Sequence, residues 1–369
     1  VQIRNEDDLA QAIRDAQGPL RIVGAGTRAV GRPVAGDVLS VAGLSGITLY
    51  EPGALTLVAR AGTPLADVQA ALAAEGQHLP FEVPDWRGVL GTQGAPTIGG
   101  AVAANASGPR RVQAGACRDA LIGVRFVDGT GKVVKNGGRV MKNVTGYDLV
   151  KLMAGAWGTL GVLTEVAFKV LPKPDAVASV EIEGLSDAQA VAAMAVALGS
   201  PFDVTGAAHV AGGVTRVRVE GFADSVTYRA GRLAGLLARF GAARVVEGDQ
   251  ARADWAGLRD LAPLAGRAGD IWRIVARPSD MAGIVARGAP EAAVYDWGGG
   301  VAHVRVAEGT DLRAVLGPFD GHATVFRAPA ATRARIAPFP PRSPALAALD
   351  RGLKVRFDPR GVLNPGLMQ

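Results

Sequence analysis

At 369 residues the chain exceeds what one small core organises, so two domains are expected. Hydrophobic residues make up 49% and charged residues 20%, with no low-complexity tract, which excludes a disordered chain. The net charge is +6 and the isoelectric point about 9.8, but the arginines are scattered among Ala and Gly, so nucleic-acid binding is not expected and an anionic ligand, partner or surface fits better.

The single cysteine, Cys117, rules out an intrachain disulfide and a cysteine-held iron–sulfur cluster within the chain, and fits a reducing compartment. No charge falls between Arg87 and Arg110, yet Gly, Pro, Gln, Asn, Ser and Thr break up that run. Such a backbone would leave its polar groups unmet in lipid, so no transmembrane segment is expected. The opening Val1-Gln2-Ile3-Arg4 has no basic-then-apolar leader, and a cytoplasmic location is expected.

In chain order, Asn5 caps a first helix whose initial turn holds Glu6, Asp7 and Asp8 and whose apolar face is Leu9, Ile13 and Ala16. Leu20 to Val23 reads as a strand running into Gly24-Ala25-Gly26-Thr27. Leu55 to Ala61 alternates as a strand; Thr63 caps the next helix, with Pro64 at its first position and Leu65, Val68 and Leu72 lining one face. The stretch Thr97 to Gly108 is uncharged and dense in Gly and Ala, with polar groups at Thr97, Asn105 and Ser107. It reads either as a cradle for a dinucleotide diphosphate or as a tight core turn.

A hairpin about Asp128 to Gly131, a short helix through Lys151 to Met153 and a strand from Val166 to Leu171 complete the first region. A boundary is expected at Pro172-Lys173-Pro174. Beyond it the order is strand, helix, hairpin, helix, strand, as in ferredoxin-like units. The order recurs from Ile271 to Phe326, giving a wide antiparallel sheet with helices on one face. The expected divisions are 1–174, a cap over 175–330, and a C-terminal segment over 331–369.

The loop at Gly24 fails the G-x-G-x-x-G spacing and lacks the later acidic residue, which disfavours Rossmann NAD binding. The histidines His78, His209, His303 and His322 stand far apart, so no metal site is expected. No G-x-S-x-G elbow occurs.

Together these stretches resemble the vanillyl-alcohol-oxidase, or PCMH-type, FAD-binding family. The resemblance rests on Ile22 to Thr27, on Thr97-Ile98-Gly99-Gly100 through Asn105 and Gly108, on Gly158 to Glu165, and on a tail with Phe357-Asp358-Pro359 and Leu363-Asn364-Pro365-Gly366. The chain is also similar to FAD-binding subunits of bacterial glycolate-oxidising complexes, through Gly108-Pro109-Arg110-Arg111, Val140 to Leu149, Trp272-Arg273-Ile274, Asp296 to Gly299 and Gly321 to Thr324.

The resemblance implies an α+β fold: a two-subdomain FAD-binding domain, an antiparallel-sheet cap and a tail returning to the first domain. It implies non-covalent FAD held by Val23, Gly24, Ala25, Gly26, Thr27, Thr97, Ile98, Gly99, Gly100, Ala104, Asn105, Gly108, Gly161, Val162 and Asn364. It also implies a larger FAD-linked subunit and an iron–sulfur subunit as partners, with membrane contact only through that complex. No histidine on 24–33 is available for a covalent flavin link, and Cys117 is off the spacing of a cysteinyl one. The His-rich cap motif of relatives that oxidise 2-hydroxy acids is reduced here to His303.

Hydride transfer from a 2-hydroxy acid needs a cation for the carboxylate and a base for the hydroxyl. Arg110, Arg111, Lys142, Arg273 and Arg327 are the cations on offer, with Arg110 and Arg327 preferred, and His322 is the base candidate. Three functions stay open. They are an FAD-binding subunit with the main chemistry on its larger partner, a self-sufficient 2-hydroxy acid dehydrogenase, and a scaffold that has lost its flavin.

Overall fold

The computed structural model describes residues 3–138 and 146–369; Lys142 and the rest of the motif at 140–145 lie outside the described residues. The first helix, Glu6–Asp15, starts where the side chain of Asn5 accepts the Asp8 amide at 2.8 Å. Its buried Leu9, Ala10 and Ile13 pack on a parallel pair, Leu20–Val23 with Asp37–Ser40. The C-terminal tail closes this small layer. The Leu20 amide donates to Val362 and the Asn364 amide to Leu20, so the tail runs alongside the first strand.

Behind it stands a five-stranded antiparallel sheet in the order Ile47–Glu51, Thr56–Arg60, Val162–Lys169, Leu121–Val127, Val133–Gly137. The helices Leu65–Ala74, Ile98–Ala103 and Leu149–Met153 cover one face around Phe81, Phe126 and Phe168. Thr63 does not cap the second helix as expected. Its hydroxyl donates to the Arg60 carbonyl at 2.7 Å and accepts the Gly46 amide, and Pro64 takes the capping position without a side-chain bond.

An eight-stranded antiparallel sheet spans Ala176 to Arg327. Its order is Ala243–Glu247, Ala176–Glu183, Val214–Gly221, Gly206–Val210, then Ala292–Asp296, Val301–Val306, Asp270–Ala276, Gly321–Arg327. Two β-α-β-β-α-β units meet edge to edge where Gly206–Val210 pairs with Ala292–Asp296. The helices Asp187–Leu198, Ala223–Leu237, Pro278–Arg287 and Leu312–Leu316 bury one face, with Trp272 and Tyr295 fully enclosed. Each such side chain contributes roughly 2–3 kcal/mol by leaving water. His209 also lies under this layer, bonded to Thr215 and Asp187, and the Tyr295 hydroxyl donates to Asp187 at 2.6 Å; together they pin the helix N-terminus to the sheet.

One helix departs from the expected layering. Gly248–Arg259 lies on the opposite face, where the Trp255 indole donates to Ser179 and stacks under Arg218. Strand alternation gives this second face a mixed character: Ser179, Glu181, Arg218, Arg273, His303 and Thr324 point away from the four helices, beside a smaller apolar cluster of Ala208, Ile271, Val294 and Phe326 that packs with Val89 and Trp255. It faces the first domain. Between the two, Arg218 is buried and forks onto Glu82 at 2.9 and 2.8 Å, while Glu220 accepts from Arg110 at 2.7 Å.

Candidate functional site

The strand Leu20–Val23 delivers the loop Gly24 to Thr27 to an open face. Gly26 takes φ +70°, and a side chain there would meet nothing within 4 Å. Among the described residues, the amides of Gly24, Ala25, Gly26 and Thr27 donate to no protein acceptor. A run of unmet N–H groups around a left-handed glycine is an anion nest. Gly24 comes so close to Thr97 that a Cβ would sit 2.5 Å from its hydroxyl, so the two glycine loops are packed against each other.

The second loop behaves differently from a donor cradle. Thr97 caps Ile98–Ala103 by accepting the Gly100 amide, the Ile98 amide donates to Thr63, and the Gly99 amide donates to Ala61. A Cβ on Gly99 would lie 2.6 Å from Ala61. Thr97 to Gly100 therefore shapes the cradle, and the Ile98, Gly99 and Gly100 N–H groups are spent internally. Asn105, at φ 47°, accepts the Arg118 amide, and Ala104 closes the helix. Gly108 is pressed on the Glu82 carbonyl, 2.6 Å from a built Cβ, and its own carbonyl accepts the Trp297 indole N–H at 3.1 Å.

Gly161 packs edge-on to Phe126, and Val162 buries its side chain in the core, so neither presents a side chain to a ligand. Asn364, at φ 41°, has both amide ends engaged: its oxygen accepts Ile22 N–H at 2.8 Å and its nitrogen donates to Trp157 at 2.9 Å. It fixes the strand that carries the nest. Glu82, Asn105, Trp157, Trp297 and Asn364 all hold left-handed backbone around this region. Each costs on the order of 1 kcal/mol, strain that surrounding packing must hold in place.

Arg28 was not among the expected residues. It directly follows the nest, and its Nε is buried without a partner. One terminal nitrogen donates to Pro84, and the guanidinium lies 5.5 Å from the Trp86 ring centre. Burial pulls its pKa down to about 10, with Asp85 opposing. Nη1 lies 3.7 Å from where a Gly100 Cβ would stand, placing a cation beside both glycine loops. Its adjacency to Gly24-Ala25-Gly26-Thr27 was the available signal.

The expected catalytic groups are spread out. Arg110 is held by Glu220, and its amide donates to Glu82; its charge is spent clamping the domains rather than waiting for a carboxylate. Arg327 donates to the carbonyls of Val89, Arg267 and Gly269, a fork occupied by backbone. His322 stands largely exposed opposite Val275; desolvation first, then Arg273 and Arg342, lower its pKa.

The structure instead gathers Arg273, Arg111, Trp297 and His303. Arg273 pairs in register with His303 and Thr324 on the neighbouring strands. Arg111 and Arg273 stack on the same Trp297 ring at 4.3 and 5.1 Å. Burial and the Arg111 charge bring Arg273 down to about 10; burial and Arg273 bring His303 down to about 3, so His303 is neutral. An aromatic wall joins this cluster to the nest: Arg28 on Trp86, Trp86 edge-on to Phe326, Phe326 edge-on to His303.

Cys117 is fully buried, and desolvation pushes its thiol far up, which removes it as a flavin-linking nucleophile. Among the described residues, no group of three or more His, Cys, Asp or Glu is arranged to hold a metal ion, and no helix is long and apolar enough to cross a membrane. A groove of about 470 Å³ on the outer face of the five-stranded sheet, at Arg125, Lys135 and Glu165, shares no residue with the cradle.

The unmet amides, the orphaned Arg28 Nε and the open space at Gly26 fit the diphosphate of a dinucleotide cofactor. Residues 1–137 match the family model described as an FAD binding domain. The chain is 37% identical to glycolate oxidase subunit GlcE of Escherichia coli, over 98% of this chain and 95% of that one. It is 32% identical to glycolate oxidase subunit GlcD of Bacillus subtilis over 47% of this chain and 36% of that one. In fold it is similar to an alkyldihydroxyacetonephosphate synthase (TM-score 0.70, 16% identity, 99% of this chain and 76% of that one). The 4-ethylphenol oxidase of Gulosibacter chungangensis is likewise similar (TM-score 0.68, 13% identity, 100% and 88%). With its cradle, its antiparallel cap and its returning tail, the chain belongs to the glycolate oxidase GlcE family of proteins with this FAD-binding domain.

Proposed function

We propose that the chain is the FAD-binding subunit of a glycolate-oxidising dehydrogenase complex, working with a larger FAD-linked subunit and an iron–sulfur subunit that carries electrons onward. The observation that carries this reading is the run of free amides from Gly24 to Thr27 followed by the buried, partly unpartnered Arg28. Bound FAD would supply the hydride- and electron-accepting ring system. The chain's own residues would hold its diphosphate through the 24–27 amides and Arg28, and keep the cradle's shape through Thr97, Gly99, Gly108 and Asn364. With no histidine on that loop and Cys117 buried, attachment is non-covalent.

The main substrate chemistry falls to the larger partner. A base must take up the hydroxyl proton, and the candidates here are a neutral, weakly basic His303 and an outlying His322. Residues 1–174 form the flavin domain in this reading, 175–330 the cap and 331–369 the closing segment. The complex works in the cytoplasm, and any contact with the membrane's inner face is made through its partners.

Anaerobic addition of glycolate to the purified, flavin-loaded chain tests the division of labour. The flavin should stay oxidised alone and bleach when the larger subunit is added. Prompt bleaching of the isolated chain would make it a self-sufficient 2-hydroxy acid dehydrogenase instead.

A further inference from the structure

Arg273 presents an electrostatic problem that the fold does not solve. It projects from the middle of strand Asp270–Ala276, the seventh of the eight, onto the face turned toward the flavin domain, where it is half-buried. Among the described residues its side chain makes no ion pair and no hydrogen bond, and its guanidinium stacks on the Trp297 ring. The nearest charge acting on it is a second cation, Arg111, stacked on that same ring and also without an ion pair. Beside them, the Nδ1 of His303 is buried without a partner. Elsewhere on this face the arginines are matched: Arg218 by Glu82 and Glu220, Arg216 by Glu181, Arg305 by Glu291.

Two half-buried guanidinia without a counter-ion, beside a buried imidazole nitrogen without a partner, form a set that an anionic ligand would complete. Their positions define the ligand. A guanidinium presents a planar fork suited to a carboxylate, and the neutral His303 adds a site for a hydroxyl or carbonyl. Trp297 is anchored to the glycine stretch by its bond to the Gly108 carbonyl, so the cluster sits at the end of the cradle. We propose that Arg273 and Arg111, sharing the Trp297 ring, form a carboxylate site of this chain's own that takes a small 2-hydroxy or 2-oxo acid.

The proposal rests on the flavin-binding reading and deepens it: the subunit binds the substrate class next to its flavin without turning it over. His303, held neutral beside Arg273, is available as a hydrogen-bond partner and not as the proton acceptor that oxidation requires. The same cations offer a second source for the missing anion, namely the FAD itself, and the test separates the two.

The full chain loaded with FAD is titrated with oxalate, a redox-inert dicarboxylate, by calorimetry and by the shift of the flavin visible spectrum. One saturable site is expected. Arg273→Gln and Arg111→Gln should each weaken it roughly 10- to 100-fold, the loss of one charge-assisted contact, with flavin content unchanged. Arg277→Gln, on the exposed surface, should leave it unaltered. Glycolate should bind in the same range without bleaching. A yellow chain that binds no oxalate, or binds it equally in both variants, overturns the proposal while leaving the flavin reading intact. Loss of FAD in Arg273→Gln with no oxalate site in the parent chain would assign the cations to FAD and also overturn it. A parent chain that stays colourless with excess FAD would instead overturn the flavin reading.

Discussion

Replacing Arg28 by Met separates what this residue does for the fold from what it does for the ligand. In the free chain the guanidinium is mostly buried, its Nε has no partner, and its pKa is held at about 10 against 12.5. That depression corresponds to up to about 3 kcal/mol of unfavourable burial at neutral pH. Met keeps an unbranched stem against Trp86 and removes the charge, losing the bond to the Pro84 carbonyl, worth on the order of 1–3 kcal/mol. The free chain should therefore melt at an equal or higher temperature. Binding should move the other way: one charge-assisted contact to the diphosphate is worth roughly 1.5–3 kcal/mol, so Kd for FAD should rise about 10- to 150-fold. Differential scanning fluorimetry of the free chain and quenching of FAD fluorescence on titration read the two effects. An unchanged Kd in a folded Arg28→Met chain would refute the role given to Arg28.

The other expectations concern the nest and the seam between domains. Gly26→Asp places a carboxylate in the open space of the nest at modest backbone cost, and should abolish FAD retention while circular dichroism stays native. Gly99→Val, by contrast, drives a side chain into Ala61 and should damage the fold itself, seen as a lowered melting temperature. Glu82→Gln removes one carboxylate from Arg218 and should cost about 3 kcal/mol in denaturant unfolding. Because Arg218 and Arg110 hold Glu82 at about 2 despite its burial, its contribution is present above the ordinary carboxylate range and fades as pH falls toward 2. Asp296 has the opposite sign: burial raises it to about 7, so stability declines as pH rises from about 4 through 7. Asp296→Asn, which keeps an acceptor for the Trp297 amide, should raise the melting temperature at pH 8 more than at pH 5.

Much of this architecture was legible in residues alone. Alternation in Val301–Val306 and Asp270–Ala276, with Gly and Pro between, declares the second cap unit because each strand buries one face under helices. The tail was legible because Phe357-Asp358-Pro359 is too ordered a sequence for a frayed end; Asp358 is buried and accepts the Val362 and Leu363 amides. Helix Gly248–Arg259 escaped notice because Arg252 and Arg259 dilute its apolar stripe, although Ala251, Trp255 and Leu258 keep the spacing. The site was half legible. A strand ending in Gly-Ala-Gly-Thr announces free amides, but nothing local tells that the Ile98 and Gly99 amides are taken by Thr63 and Ala61, far back in the chain. Arg110 and Arg111 make the point most sharply. They are adjacent, yet one is neutralised by Glu220 and the other stacks on Trp297, a difference set by where the cap lands.

The central claim is that Gly24 to Thr27, with Arg28, hold the diphosphate of a non-covalently bound FAD. Titration of the purified full chain with FAD, followed by precipitation with acid, tests it most directly. Saturation at about one FAD per chain is expected, lost in Gly26→Asp, with all the flavin released into the acid supernatant. Absence of saturable binding, or flavin that stays with the precipitate, would contradict it.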